Sequence, residues 1–371
     1  MTQAVLDAVA AQADAISATS RFVHEHPELG HEEHECSRYL CETLAAAGLE
    51  VEHGVAGMET AFRATLHGTS PGRTTGLVCL YDAVAAVRSD GRTEAVHSCG
   101  HGPIAGGVTG AALALTELRD ELSGSLVVMG CPADEIHAPG TIRRGGGKAI
   151  SAEAGLWDGV DAALYAHPEF IDTVSLESRW MRRATATVAG TRSLRTADQP
   201  PLQAALAALE SVRPLVPDDV MLERLEYEGD VEEETGLVLR ATFLLFGDEQ
   251  QEVEAGLGLV RSALPDATWE LGRLYEAIQP DHRATAAVAS AFRMIGHEFV
   301  EDPPRLPFAT DFGNISRRCP GALIGIGHEG GWAFHTDHGA EQFASPDGDE
   351  AALTIAQVLA LAAIELCRPA G

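Results

Sequence analysis

The densest cluster of reactive side chains is His97-Ser98-Cys99-Gly100-His101. A thiolate and an imidazole two residues apart, with a glycine between them, can close on one metal ion. Taken alone the pair is as readily packing, since buried cysteine behaves as a small hydrophobe. A second cluster, Pro132-Ala133-Asp134-Glu135, directly follows the apolar run at 125–130. One of two adjacent carboxylates can bind a metal while its neighbour takes a proton from the activated water. The plain alternative is an exposed acidic turn. His167 follows the apolar run at 162–166, His335 lies in Phe334-His335-Thr336-Asp337, and Asp82 ends the run at 77–81. Either histidine alone reads as structural. Together, a thiolate, three imidazoles and carboxylates suit zinc, manganese, cobalt or nickel better than magnesium or calcium.

These residues need a scaffold that gathers them. The runs at 61–66, 76–82, 125–130 and 162–166 read as strands, and the stretches 4–24, 32–47 and 103–122 as helices. In the second helix Cys36, Leu40 and Leu44 share one face. Alternating strands and helices predict an α/β layer with a mostly parallel sheet. Asp82, Cys99, His101, Glu135 and His167 fall at or just beyond strand ends, so one edge of one sheet would collect them. The pattern changes after about residue 175. Strands at 184–189, 222–228, 237–246 and 268–275, with helices at 201–216 and 248–264, give a β-α-β-β-α-β order, the ferredoxin-like arrangement. Helices at 283–295 and 349–367 resume the first pattern. The expected organisation is a discontinuous catalytic domain, residues 1–174 and 280–371, interrupted by a lid at 175–279.

The 371 residues suit about two domains at ~150 residues each, and 45% hydrophobic content suffices for real cores. The 26 basic and 55 acidic residues give a net charge of −29. That excess repels phosphate backbones and anionic lipid, so neither nucleic acid nor membrane is an expected partner. The N-terminal stretch lacks a basic region and is interrupted by Asp7 and Asp14, which does not read as a signal peptide. Seven scattered cysteines suggest a reducing, cytoplasmic compartment rather than a disulfide framework. The histidines His24, His26, His31 and His34 read as a surface feature with one packed position, not as a metal site, since no closed zinc spacing accompanies them. Gly145-Gly146-Gly147-Lys148 lacks phosphate-loop spacing and reads as a tight turn behind the site.

The order of these motifs resembles the zinc aminoacylase and carboxypeptidase family. The likeness is to its branch of aminobenzoyl-glutamate, hippurate and auxin-conjugate hydrolases. The carrying residues are Arg21 to Gly30 with Glu33, Tyr81-Asp82-Ala83, His97 to His101, Pro132 to Glu135, Gly145 to Lys148, His167-Pro168, Thr310-Asp311-Phe312-Gly313-Asn314-Ile315-Ser316 and His335-Thr336. The resemblance implies a catalytic domain with a ferredoxin-like lid, a homodimer formed through that lid, and two divalent metal ions, most simply zinc, with manganese, cobalt or nickel as alternatives. It implies Cys99 (bridging), His101, Glu135, His167 and His335 as ligands, Asp82 as the group orienting a ligand histidine, and Asp134 as general base. The implied activity is hydrolysis of the amide bond of a small N-acyl amino acid-like or aryl amide substrate.

The chain departs from that pattern in places. Asp134 stands where the family has glutamate, and a misplacement of about 1 Å can cost on the order of a hundredfold in rate. Gly190-Thr191-Arg192-Ser193 is followed by Leu194, where the lid's oxyanion histidine is usual; losing one such donor costs roughly 10²–10³. Gly102, Ala85 and Leu80 differ as well. His137, Arg192 or Arg195 could replace what was lost. Two alternatives therefore stand beside the amidohydrolase: the same metal platform turned to deamination, cyclisation or another step on a specialised small molecule, and a catalytically dead binding descendant.

Overall fold

The apolar runs become the strands that carry the sheet. The structure is a computed structural model and describes residues 1–190, 210, 219–228 and 237–369. Among these residues the strands are β1 (Glu50–His53), β2 (Phe62–His67), β3 (Ser70–Cys79), β4 (Val84–Val87), β5 (Thr93–Val96), β6 (Ser123–Gly130), β7 (Ala162–Pro168), β8 (Trp180–Gly190), β9 (Val220–Glu228), β10 (Leu237–Gly247), β11 (Thr268–Tyr275) and β12 (Gly321–Ile326). The chain divides into two units.

The first unit comprises Met1–Glu177, Ile278–Arg305 and Asp311–Gly371. Its sheet has the order β1-β2-β6-β3-β7-β12. β3 runs parallel to β6 and β7, and β7 parallel to β12, while β1 and β2 form an antiparallel margin. Leu77, Val78 and Cys79 of β3 are fully buried, as are Leu126 to Met129 of β6. Strands covered on both faces need such unbroken apolar runs. The helix His101–Glu117 packs between Ala13–Glu25 and Pro346–Leu366. Glycine makes that approach possible: a Cβ on Gly110 would lie 2.3 Å from Ile16 Cγ1. The last helix starts where its sequence directs, with Ser345 accepting from the Asp347 amide, Pro346 in the first turn and Asp347 and Asp349 at the positive end of the dipole.

The second unit comprises Ser178–Ala277 and Leu306–Thr310. Its antiparallel sheet has the order β11-β8-β10-β9. Fourth, first, third, second is the strand order of the ferredoxin-like arrangement. The helix Gln250–Ala263 buries Val253, Leu257 and Val260 in a core with Phe243 and Leu245. A reciprocal capping box between Glu249 and Glu252 begins it. The helix expected at 201–216 lies outside the described residues, except Glu210.

Several boundaries differ from expectation. The stretch 4–24 is two helices, Thr2–Ala11 and Ala13–Glu25, joined at Gln12 (φ −95°, ψ 5°). No Gly or Pro marks this break; the two segments turn so that Val5 and Val9, then Ile16 and Val23, each reach the core. β3 stops at Cys79, so Leu80 to Asp82 continue beyond the strand. His167 lies within β7 rather than after it. β12 does not stand out because Gly321 and Gly325 interrupt its apolar run, and β4 and β5 because each is only 4 residues long. No helix among the described residues is long and apolar enough to cross a membrane.

Candidate metal centre

Three loops and one strand end bring the reactive side chains together in the first unit. Cys99 sits between β5 and the helix His101–Glu117. Gly100 makes the turn at φ 89°, and a Cβ there would meet Pro168 at 2.6 Å and Phe343 at 3.0 Å. Only glycine satisfies both the backbone and the space. His101 is the first residue of that helix and is 1% exposed. Its Nδ1 donates to the Asp82 backbone carbonyl at 2.6 Å and faces Asp82 Oδ1 at 3.1 Å. A proton fixed on Nδ1 leaves the Nε2 lone pair for a metal. Asp82 also receives the Glu135 amide on Oδ2 at 2.9 Å, so one carboxylate orients two proposed ligands.

The Asp134-Glu135 pair hangs from the end of β6 through Ala133, whose φ is 59°. A non-glycine residue there is strained. Buried Glu33 holds it, accepting from the Ala133 and His31 amides at 2.9 Å and from Thr60 Oγ1 at 2.7 Å. His335 also has φ 59°, and its amide donates to the Ser98 carbonyl at 2.9 Å, tying its loop to the Cys99 loop. His167 reaches the cluster from β7, with Glu169 Oε1 3.6 Å from its Nδ1.

Cys99 Sγ lies 3.7 Å from His167 Nε2 and 3.4 Å from His335 Nε2. Two groups result, with donor atoms within 4.8 Å of one another: Cys99, His101 and His167, and Cys99, Glu135 and His335. Both use the same sulfur. His101 Nε2 and Glu135 Oε1 are buried and make no hydrogen bond. Buried polar atoms left so are costly unless something else satisfies them. A soft sulfur, imidazoles and a carboxylate form a donor set that fits first-row divalent cations.

The electrostatics agree with that fit. Burial raises the Cys99 thiol, but the three surrounding imidazoles outweigh it and bring its pKa well below the usual thiol range. Burial disfavours charged His101, but Asp82, Asp134 and Cys99 together outweigh this and raise it well above the usual value. His167 is likewise pushed up to about 10, against burial, by Cys99 and Glu169. Burial, then the Cys99 charge, raises Glu135. The centre is thus rich in negative charge, which draws protons onto its histidines and equally favours a cation.

Asp134 points Oδ2 towards His101 Nε2 at 3.4 Å. Its Oδ1 is bonded to Lys148 Nζ. Burial raises the Asp134 pKa, but Lys148 and His101 together outweigh it and hold the carboxylate ionised. Lys148 is fully buried in the helix Gly147–Glu153, and its Nζ also meets Asp311 Oδ1 at 2.8 Å. The run Gly145 to Lys148 is therefore more than a turn behind the site: its lysine contacts Asp134. Lys148, Asp311, Glu33 and Glu169 were given no role by sequence reasoning. A charged residue amid the small residues of Gly147-Lys148-Ala149-Ile150-Ser151-Ala152 was the available sign. His137 is exposed on the turn after Glu135. Arg192, Leu194 and Arg195 lie outside the described residues.

Fold and cluster define a two-unit α/β protein with a metal-competent centre at the strand ends. The chain belongs to peptidase family M20/M25/M40, whose model matches residues 70–365. It is 34% identical over 160 residues to thermostable carboxypeptidase 2 of Saccharolobus solfataricus, 42% of this chain and 39% of that protein. It is 28% identical over 160 residues to the N-acyl-L-amino acid amidohydrolase of Geobacillus stearothermophilus, 41% of this chain and 40% of that one. The aligned part spans about two-fifths of these curated relatives. A dinuclear metal-binding peptidase of the M20 family from Bacillus subtilis shares the fold at TM-score 0.68 and 20% identity, over 96% of this chain and 99% of that one.

Proposed function

We propose that the protein is a hydrolase of small N-acyl amino acid-like or aryl amide substrates, using two divalent cations. The observation that carries this reading is the pair of ligand groups sharing Cys99, with Asp134 beside them. His101 and His167 would complete one cation site with the sulfur, and Glu135 and His335 the other. When bound, the cations polarise the scissile carbonyl and lower the pKa of water. Zinc suits the thiolate and imidazoles best, with manganese, cobalt or nickel able to substitute.

The chain's own groups do the rest. Asp134 takes a proton from the attacking water at Oδ2 and passes it to the leaving nitrogen. Its low proton affinity makes it a modest acceptor and a ready donor. Asp82 keeps His101 in the tautomer that presents Nε2. Within this reading the first unit is the catalytic domain and the second the lid. Met221, Leu222 and Leu225 are exposed on edge strand β9, which supports a homodimer formed through the lid. Free thiols at all seven cysteines support a cytoplasmic setting.

The test is turnover of N-acetyl amino acids and aryl amides by the zinc- or manganese-loaded protein and by Asp134→Asn. Wild type should hydrolyse members of the panel. The variant should lose about 10²–10⁴-fold in kcat while retaining its metal. An active Asp134→Asn enzyme would remove Asp134 from the base role.

A further inference from the structure

We propose that Lys148 is a positioning residue for Asp134: it grips Oδ1, leaves Oδ2 turned towards His101, and is itself anchored by Asp311. The inference rests on the reading of Asp134 as the proton acceptor.

Lys148 is 0% exposed. Burying an ammonium group is costly unless it is paired, and even paired it adds little net stability, because desolvation offsets the attraction. A hydrophobic side chain of similar volume would fill the space as well. What the lysine supplies is a fixed location for a carboxylate. Its partners show which one is being located. Asp311 is the fixed end: Oδ1 meets Lys148 Nζ at 2.8 Å and Oδ2 accepts the Ala149 amide at 3.0 Å. The ring of Tyr165 lies beside Nζ, 5.2 Å away at its centroid. Asp134 is the held end, on a loop whose approach includes the strained Ala133.

The helix bearing Lys148 is docked on that same loop. The Gly147 amide donates to the Pro132 carbonyl at 3.0 Å, and a Cβ on Gly147 would collide with that oxygen. The segment that bears the lysine is therefore tied to the loop it steadies. The arrangement also accounts for two sequence blocks at once. Gly145-Gly146-Gly147-Lys148 and Thr310-Asp311-Phe312-Gly313-Asn314, far apart in the chain, meet at this ion pair. Aspartate at position 134 makes the grip more consequential. With one methylene fewer than glutamate, its carboxylate has less freedom to seek the reacting atoms, so where the lysine holds it decides where Oδ2 points.

The experiment compares zinc-loaded wild type with Lys148→Met and Asp311→Asn, each also made in an Asp134→Asn background. The first readout is the crystal structure. Lys148→Met should show the Asp134 carboxylate displaced, with Cys99, His101, Glu135, His167 and His335 in place. The second is kinetic. Lys148→Met should lower kcat about a hundredfold, as expected for a misplaced group, with KM little changed. In the Asp134→Asn background it should have no further effect. Asp311→Asn should shift Lys148 and Asp134 and lower kcat in the same direction, less steeply. An unmoved Asp134 in the Lys148→Met structure, or an equal loss with and without Asp134, would overturn the proposal. Should Lys148→Met not fold, Asp311→Asn decides by the same structural readout, and an unmoved Asp134 there overturns it. If wild type cleaves none of the amides, the functional reading fails, while the structures still settle what holds Asp134.

Discussion

Cys99 is the residue common to both groups that could hold a cation. Its surroundings set it apart from the other six cysteines. Burial pushes Cys131 and Cys319 up to about 12 and Cys41 to about 11, and raises Cys36, Cys79 and Cys367 as well. Cys99 alone is lowered. Thiolate is the reactive form. Near pH 7, limiting iodoacetamide should therefore label Cys99 first in the metal-free protein, and zinc should block that labelling. Peptide mass spectrometry reads both. Labelling spread evenly over the cysteines, or unaffected by zinc, would contradict a thiolate at the centre. The sequence made Cys99 and His101 visible because their spacing is unusual. It left Lys148 without a role because a lysine in a glycine-rich run looks like a surface turn. Its partner Asp134 lies 14 residues away, and Asp311 lies 162 residues from the neighbouring Ala149.

At the scale of elements, the centre depends on two strained turns and the groups that hold them. Glu33 secures the Ala133 turn from the segment before the helix His34–Ala46. Its carboxyl is pushed up to about 8, first by burial and then by the charge of Asp82. An unfolded glutamate titrates near ~4.3. Glu33 therefore contributes stability that is fully present below that value and is lost as pH rises through about 8. Glu33→Gln carries no such titration. Its melting temperature, measured relative to wild type, should improve from pH 5 to pH 9; a difference that stays constant with pH would refute a proton on Glu33. Glycine contacts give a second element-level prediction. Gly110→Val should lower stability by about 1–3 kcal/mol through overpacking against Ile16, read as a lower midpoint in urea. An unchanged midpoint would mean that the helices can separate freely. The parallel strands were legible because their Leu and Val runs are continuous. Gly321–Ile326 was not, since glycines interrupt it and its place beside β7 is settled by tertiary pairing.

At the scale of the molecule, the α/β plan and the ferredoxin-like second unit followed from the order of strands and helices. A switch from parallel-type to alternating patterns survives errors at any single boundary. The chain break at Gln12 did not follow, because helix-forming residues run straight through it and only packing decides the turn. The net charge of −29 fits a centre that attracts cations, but a bulk acidic excess cannot place them. What would place them is one sulfur shared between two candidate ligand groups. The most direct measurement is the metal content per chain, by inductively coupled plasma mass spectrometry, of zinc-loaded wild type and Cys99→Ser. Wild type should hold one zinc for each of the two groups, and the Cys99 variant should lose from both. A single zinc in wild type, or a Cys99→Ser protein that keeps its full complement, would contradict the shared-sulfur centre.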